Sequence, residues 1–554
     1  MPHVYPATSV AGLTPTPTAA IAGATPTVRM ETSGTPIGAP IRRVAQVLRL
    51  GSPEPLTLDP GHGADAASLL IIGQLFEGLV GQDANGEIVP LVAERWDVSA
   101  DGLTYTFHLR QGPRWSDGKP VTARDFEWAW KRNLDPITAS TQAEPLLAIR
   151  NAERIYLERN LDPQELGVTA ANDRTLVVEL ERPAAHFLAN AALPALLPLR
   201  QDTVERNGEA WVEAVNILTN GPFQVREWTH GVQIVLERDP DYWGSSPTIE
   251  RAIVQLFPAN GVAEALIAYE SGELDVLTPA FRFTDAQSER LRKDPSLGYQ
   301  DFDRAGSGWI AVNHRRAPLS DPRVRKALGM AIERTRMIDQ MMTATIEQAR
   351  GLQPRGVAGG DPTLWPGEDV AAARALLTAA GFPGGEGLPE IVYTYPAGSE
   401  DDRCAEYLQR RWNETLGVKL RLNRMEPRAF GEWRSGTEWE QSGDLFRGGW
   451  SSASRDPFEW FNLLWRSASD SSYPRGGWTD ATYDAAVEQG AIESDPDLRR
   501  RHYERAERIL AEQYPAIPLW HDRGQVLIKP YVIGATPAQF AVGLSLATMR
   551  IEPN

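Results

Sequence analysis

The chain has 554 residues, a hydrophobic fraction of 42%, and 56 Lys plus Arg against 73 Asp plus Glu, a net charge of −17. That length supports two or three packed lobes, and the acidic balance argues against general affinity for nucleic acid or anionic lipid, which is driven mainly by cationic neutralisation of phosphate. The single cysteine, Cys404, excludes an internal disulfide and, within one chain, thiolate zinc sites and Cys-ligated clusters.

In chain order, residues 1–40 are dominated by Pro, Thr, Ala and Gly without helical or strand periodicity. Such a segment cannot bury enough apolar surface to offset its ordering entropy, so it reads as a disordered tether. It carries no charged n-region with an apolar h-region, and no run in the chain approaches the roughly 20 apolar residues of a membrane helix. A strand is expected over 42–50, an apolar helix over 68–80, and a tight turn at Asn85-Gly86. WDVS and LTYTFHLR alternate in period 2 about Asp101-Gly102, predicting a hairpin. Thr122 is the expected N-cap of a helix carrying Phe126 and Trp130. A strand follows over 174–181, a hairpin over 219–243, a strand over 250–257 and a helix over 261–271. After a strand at 309–314, Asp321 and Pro322 start a helix expected over 320–338. Asp369 and Gly381 bracket another. IVYTYP, a helix near 401–416, VKLRLNRM, a long helix over 496–513 and a C-terminal strand complete an α/β pattern.

Motifs for covalent or metal chemistry are missing from the sequence. The eight His form no HExxH or other close pair. There is no phosphate-binding Gly-Lys loop, no G-x-S-x-G elbow, and no acid–base carboxylate pair that spacing picks out. No catalytic residue, metal or cofactor is therefore assigned. Tryptophan, at 17 residues, is the enriched type. Trp96, Trp115 and Trp130 fall in periodic segments and are expected in the core. In FRGGWSSASRDPFEWFNLLW (446–465), Arg447 and Trp450 flank two glycines, a setting in which backbone can approach a ligand and an indole can stack on it. Trp450 reads as a pocket wall.

These segments resemble the bacterial extracellular solute-binding proteins of family 5, the oligopeptide- and dipeptide-binding class that feeds ABC importers. The resemblance is spread over about 41–550. AERWDVSADGLTYTFHLRQGPRWSDGKPVTARDF, TNGPFQVREWTHGVQIVLERDPDYW, YESGELDV, WIAVNHRRAPLSDPRVRKALGMAIERTRMI and YERAERILAEQYPAIPLWHDRGQVLIKPYV carry it. It implies an α/β, periplasmic-binding-protein-like type II fold with two hinged lobes and an additional lobe. The expected division is a discontinuous lobe I (41–77, 185–279 and 523–554), an accessory lobe II (78–184) and a ligand-closing lobe III (280–522). It further implies a monomeric, non-enzymatic capture protein outside the cytoplasm that hands a solute to a membrane permease. The Thr/Pro-rich start then fits a lipoprotein stalk.

The resemblance also carries site residues. Arg447, Gly449, Trp450, Ser451 and Ala453 match the family's R-A-G-W-C-A-D segment, with Ala453 where peptide-binding members place the Asp that pairs with an α-ammonium. Asp456, three residues on, is the alternative partner. Arg434 matches a second pocket Arg, Pro427 stands where a Trp is expected, and Gln142 stands where a Tyr is expected. Asp65 and Ala66 align with a β-like segment that pairs with peptide backbone. These departures set an oligosaccharide or other non-peptide solute beside the default oligopeptide; a hydrolase is the distant alternative.

Overall fold

The computed structural model describes residues 45–83, 87–341, 345–452, 454–467, 476–535 and 545–553. The tether expected over 1–40, the Asn85-Gly86 turn and Ala453 lie outside the described residues.

Local chemistry sets the first elements. Asp65 caps the helix Ala66–Leu75 by accepting from the Ser68 backbone N–H at 2.9 Å. The helix was expected to run to about Val80, but it stops at Leu75. The reason is tertiary: the Asn220 amide clamps the Glu77 backbone, accepting from its N–H at 3.0 Å and donating to its carbonyl at 2.9 Å. Gly221 N–H donates to the Leu75 carbonyl at 2.8 Å. The expected hairpin forms as Ala93–Val98 and Thr104–Leu109 and joins Thr175–Glu179 and Val168–Asn172 in a four-stranded antiparallel sheet. Helix Ala123–Leu134 packs Phe126 and Trp130, both fully buried, beneath it. Trp115 is buried as expected and Trp96 is half-buried.

A second, eleven-stranded sheet runs through the molecule. Its order is Leu420–Met425, Ile391–Pro396, Leu445–Ser451, Tyr299–Val312, Ala516–Ile528, Val276–Leu277, Val47–Pro53, Arg251–Phe257, Gln233–Arg238 and Phe223–Thr229, with Ile346–Gln348 also on Ala516–Ile528. Two long strands, Tyr299–Val312 and Ala516–Ile528, form its spine. Only the last part of the first was expected from sequence, because QDFDRAGSG carries charges and glycines that blur the apolar period. The single helix expected over 320–338 is two, Pro322–Met330 and Arg334–Met341. Partners from elsewhere take the carbonyls at the break: Trp412 Nε1 donates to Leu328, Asp369 N–H to Met330 and Arg411 Nε to Ala331.

The spine strands change core along their length. Phe302, Val526 and Ile528 belong to a core shared with Leu48, Ile72, Phe107, Trp130 and Phe223. Ala305, Trp309, Ile517 and Trp520 belong to another, with Tyr393, Trp412, Trp460 and Tyr503. The pairing slips at the same place. Asp303 faces Arg523 and Ser307 faces His521, so Arg304, Ala305 and Gly306 oppose Asp522 alone. Extra residues on one strand bend and twist a ladder locally. Two separately cored halves of one sheet thus meet at an irregular strand pair, while Val44–Asn554 remain one compact unit.

Candidate functional site

Beside the slip, three glycines make room for side chains lying flat on the sheet. In the ladder Gly306 faces Ser451, and Gly308 faces both Gly449 and Trp520. A Cβ on Gly308 would run into the Trp520 indole, and one on Gly449 would sit 2.8 Å from an Arg447 guanidinium nitrogen. Across this clearing the Arg447 guanidinium lies 4.4 Å from the centroid of Trp520, a cation–π arrangement. Its Nε also donates to Asp401 Oδ1 at 3.1 Å, in the first turn of helix Ser399–Leu416.

Alternation turns Trp450 to the other face of its strand. There it is half-buried against the core, and its Nε1 donates to Glu459 Oε1 at 2.9 Å. The Ser452 hydroxyl donates to the other Glu459 oxygen, and Ser452 N–H donates to the Ala305 carbonyl at 2.8 Å. Glu459 begins a π-helical turn, Glu459–Leu463. Burial pushes its carboxyl up to about 7, against the lowering effect of the Ser452 and Trp450 donors.

Asp456 is not available to an incoming ammonium. Arg499 holds it through two hydrogen bonds of 2.7 and 2.9 Å. Burial alone would raise this carboxyl, but Arg499 outweighs it and the pKa falls below the ordinary value. Two residues on, Phe458 stacks on His186 with ring centroids 3.5 Å apart, and Ala185 N–H donates to the Ala491 carbonyl at 2.9 Å. Burial drives the His186 imidazole down to about 4.

Two cavities adjoin along shared walls at Gln82 and Phe302. One, of about 560 Å³, is lined by Ala66, Gln142, Arg304, Ser451 and Ser452 among others. The other, of about 1380 Å³, is lined by Asp303, Arg455, Asp456, Arg499 and Arg523 among others. Three of the sequence-predicted residues, Ala66, Gln142 and Ser451, therefore line one cavity although they are far apart in the chain. Arg447, Gly449 and Trp450 precede Ser451 on its strand but line neither cavity. Asp65 spends its carboxylate on the helix cap, and Ala66 is the first helical residue rather than part of a β-like segment. Arg434 lies over Phe430 of its own helix, 5.9 Å from the ring centroid, and lines neither cavity. Arg304, Asp522 and Glu459 were missed. The sequence carries no signal for them beyond the alternation of DFDRA, because the slip brings Arg304 to the cavity wall opposite Asp522 and the π-turn brings Glu459 onto Ser452.

Among the described residues, no group of three or more His, Cys, Asp or Glu side chains could hold a metal, and no helix is long and apolar enough to cross a membrane.

Two cored halves, a spine of paired strands with an irregular centre and cavities beside that centre define a hinged binding protein. The family model described as bacterial extracellular solute-binding proteins, family 5 Middle matches residues 87–472. The chain is 33% identical over 492 residues, 87% of its length and 89% of the relative's, to the probable deoxycholate-binding periplasmic protein YgiS of Escherichia coli. Its structure is similar to the unliganded open form of MppA, a periplasmic murein tripeptide binding protein. The TM-score is 0.81 at 29% identity, covering 92% of this chain and 97% of the other. Against Haemophilus influenzae OppA in complex with RPPGFSPFR the TM-score is 0.67 at 27% identity, covering 92% and 99%. The chain belongs to the bacterial extracellular solute-binding proteins, family 5. It has the α/β periplasmic-binding-protein type II fold with an additional lobe, as the sequence resemblance implied. The family is one of solute-binding proteins that work outside the cytoplasm.

Proposed function

We propose that this chain is the substrate-binding component of an ABC importer, closing two lobes on a solute of peptide class and delivering it, chemically unchanged, to a membrane permease. The observation that carries this reading is the slipped spine between two cores, in a molecule more similar to an unliganded open relative (TM-score 0.81) than to a peptide complex (0.67). Closure is favoured only by contacts that exist in the closed state, so ligand walls belong on both halves. Ala66, Gln142, Ser451 and Arg304 line one cavity, and in this reading the first two belong to one wall and the last two to the other. The lobe division is proposed as 41–77, 185–279 and 523–554 against 280–522, with 78–184 as the accessory lobe. The change of core between Trp520 and Val526 supports the boundary at 522–523, whereas on the paired strand the core changes between Phe302 and Ala305, inside the 280–522 segment. Of the strand residues expected at the second wall, Ser451 lines the cavity, and Arg447, Gly449 and Trp450 are proposed as the layer behind it, held by Asp401 and Glu459. The protein acts as a monomer in this reading, and lipid anchoring, carried over from the family resemblance alone, is testable by palmitate labelling in its native host.

The test is thermal denaturation of the full chain with and without a pool of free-acid tripeptides, followed by mass spectrometry of the recovered pool. A rise in midpoint with the peptides returned intact is expected. Hydrolysed peptides, or no rise in midpoint, would overturn the proposal. A second reading, an oligosaccharide or other non-peptide solute, is favoured by one feature: Asp456, the carboxylate closest in sequence to Ala453, is already held by Arg499. Native mass spectrometry of purified protein, with denaturing release, separates a peptide ladder from a hexose-spaced series.

A further inference from the structure

The slip in the spine leaves a cation over. Arg304 is one of three residues opposing Asp522, and it lines the 560 Å³ cavity shared by both halves. Its side chain is half-buried. Among the described residues its guanidinium makes no hydrogen bond and has no carboxylate within ion-pair distance. Arg282, exposed on the segment leading to helix Asp285–Arg292, is likewise unpaired and lies close enough to repel it. Burial and Arg282 both loosen the proton on Arg304, and Asp522 offsets them in part. Asp522 is itself shared, facing Arg447, Arg304 and Arg282. Arg447 has a second partner in Asp401; Arg304 has none.

A partly desolvated guanidinium without an anion is costly, and the cost is recovered when a carboxylate arrives. The planar fork suits two parallel bonds to one carboxylate. Resting on the capture function proposed above, we infer that Arg304, backed by Arg282, is the carboxylate subsite of the cleft. It takes a carboxylate group of the solute at the strand slip, so that binding and lobe movement act on the same three residues. The solute class that follows is an anionic, carboxylate-bearing one.

The experiment is a two-by-two comparison. Wild type and Arg304→Met are titrated calorimetrically with a tripeptide pool bearing free C-terminal carboxylates and with the same pool amidated. Amidation is expected to weaken binding to wild type by about tenfold to a hundredfold and to make little difference to Arg304→Met. Arg304→Lys is expected to fall between, keeping charge without the fork. Equal sensitivity to amidation in wild type and Arg304→Met would overturn the assignment while leaving peptide capture standing. Because Arg304→Met removes an unpaired charge, its unliganded melting midpoint should not fall, which separates lost binding from lost folding. A second arm does not depend on peptides. The Arg304 Nε–H resonance, identified by its absence in Arg304→Met, is followed by NMR during acetate titration. Movement of that resonance in protein that ignores both pools supports the subsite and rejects the peptide reading; an unmoved resonance overturns the subsite.

Discussion

At the scale of single residues, the cleft is organised by carboxyl groups whose charges are set by what they touch. Glu459 holds the Trp450 indole and the Ser452 hydroxyl, and burial lifts its pKa from 4.5 to about 7. A carboxyl with a raised folded-state pKa binds more protons folded than unfolded, so its contribution is fully present below about pH 4.5 and is lost as pH rises to about 7. The loss amounts to on the order of 3 kcal/mol. Urea denaturation of Glu459→Gln, which keeps the shape and stays neutral, should show a correspondingly flatter stability profile over pH 4.5–7 than wild type; an unchanged slope would contradict this origin. Glu507, accepting from Trp365 Nε1 at 2.6 Å and raised by burial to about 8, adds a slope of the same sign up to that pH. Asp456 behaves oppositely, because Arg499 holds it below the ordinary range. Asp456→Asn would leave Arg499 buried without its counter-charge, at an expected cost of about 3 kcal/mol read from the urea midpoint. A loss below about 1 kcal/mol would show that the pair is dispensable.

At the scale of elements, the spine strands are both sheet and hinge. A regular ladder resists bending because every residue is paired on both edges, whereas three residues facing one leave room for dihedral change. Gly306 is the residue that lets Asp522 fit there, since a Cβ on it would run into the Asp522 carboxylate. Gly306→Val should lower stability by about 1–3 kcal/mol through overpacking and should reduce the ligand-dependent change in shape. Small-angle scattering of this variant, with and without the tripeptide pool, checks the second part. A wild-type response would move the hinge elsewhere. The ion pairs of Arg523 with Asp303 (2.5 Å) and Glu347 (3.2 Å) span the same region and tie the two strands together there.

At the scale of the whole molecule, a second join connects the halves. Phe458 stacks on His186, whose neighbour Phe187 belongs to the first core, while Trp460 belongs to the second. Because burial holds His186 at about 4, it contributes stability above pH 6.5 that is lost as pH falls toward 4. In Phe458→Ala the imidazole should meet water and titrate nearer 6.5, measured by NMR; a value still near 4 would mean that Phe458 does not cover it. For the wild type, the radius of gyration should fall when solute binds, since the structure is more similar to an open relative than to a peptide complex. An unchanged radius with bound solute would rule out closure.

The sequence by itself determined what is local or repeated along the chain. Helix starts at Asp321, Asp369 and Thr122 were legible because capping acts within three residues, the hairpins because alternation and turn chemistry are adjacent, and the family because its motifs are spread over most of the chain. Ala66, Gln142 and Ser451 were named one by one from that resemblance. Only the tertiary structure decided that they line one cavity, that Asp456 is taken by Arg499, that the helix after Asp65 ends at Leu75, and that Arg304 stands unpaired at a slipped register. Each of these depends on a partner more than 40 residues away, and distance through the folded chain, unlike spacing along it, leaves no period in the sequence.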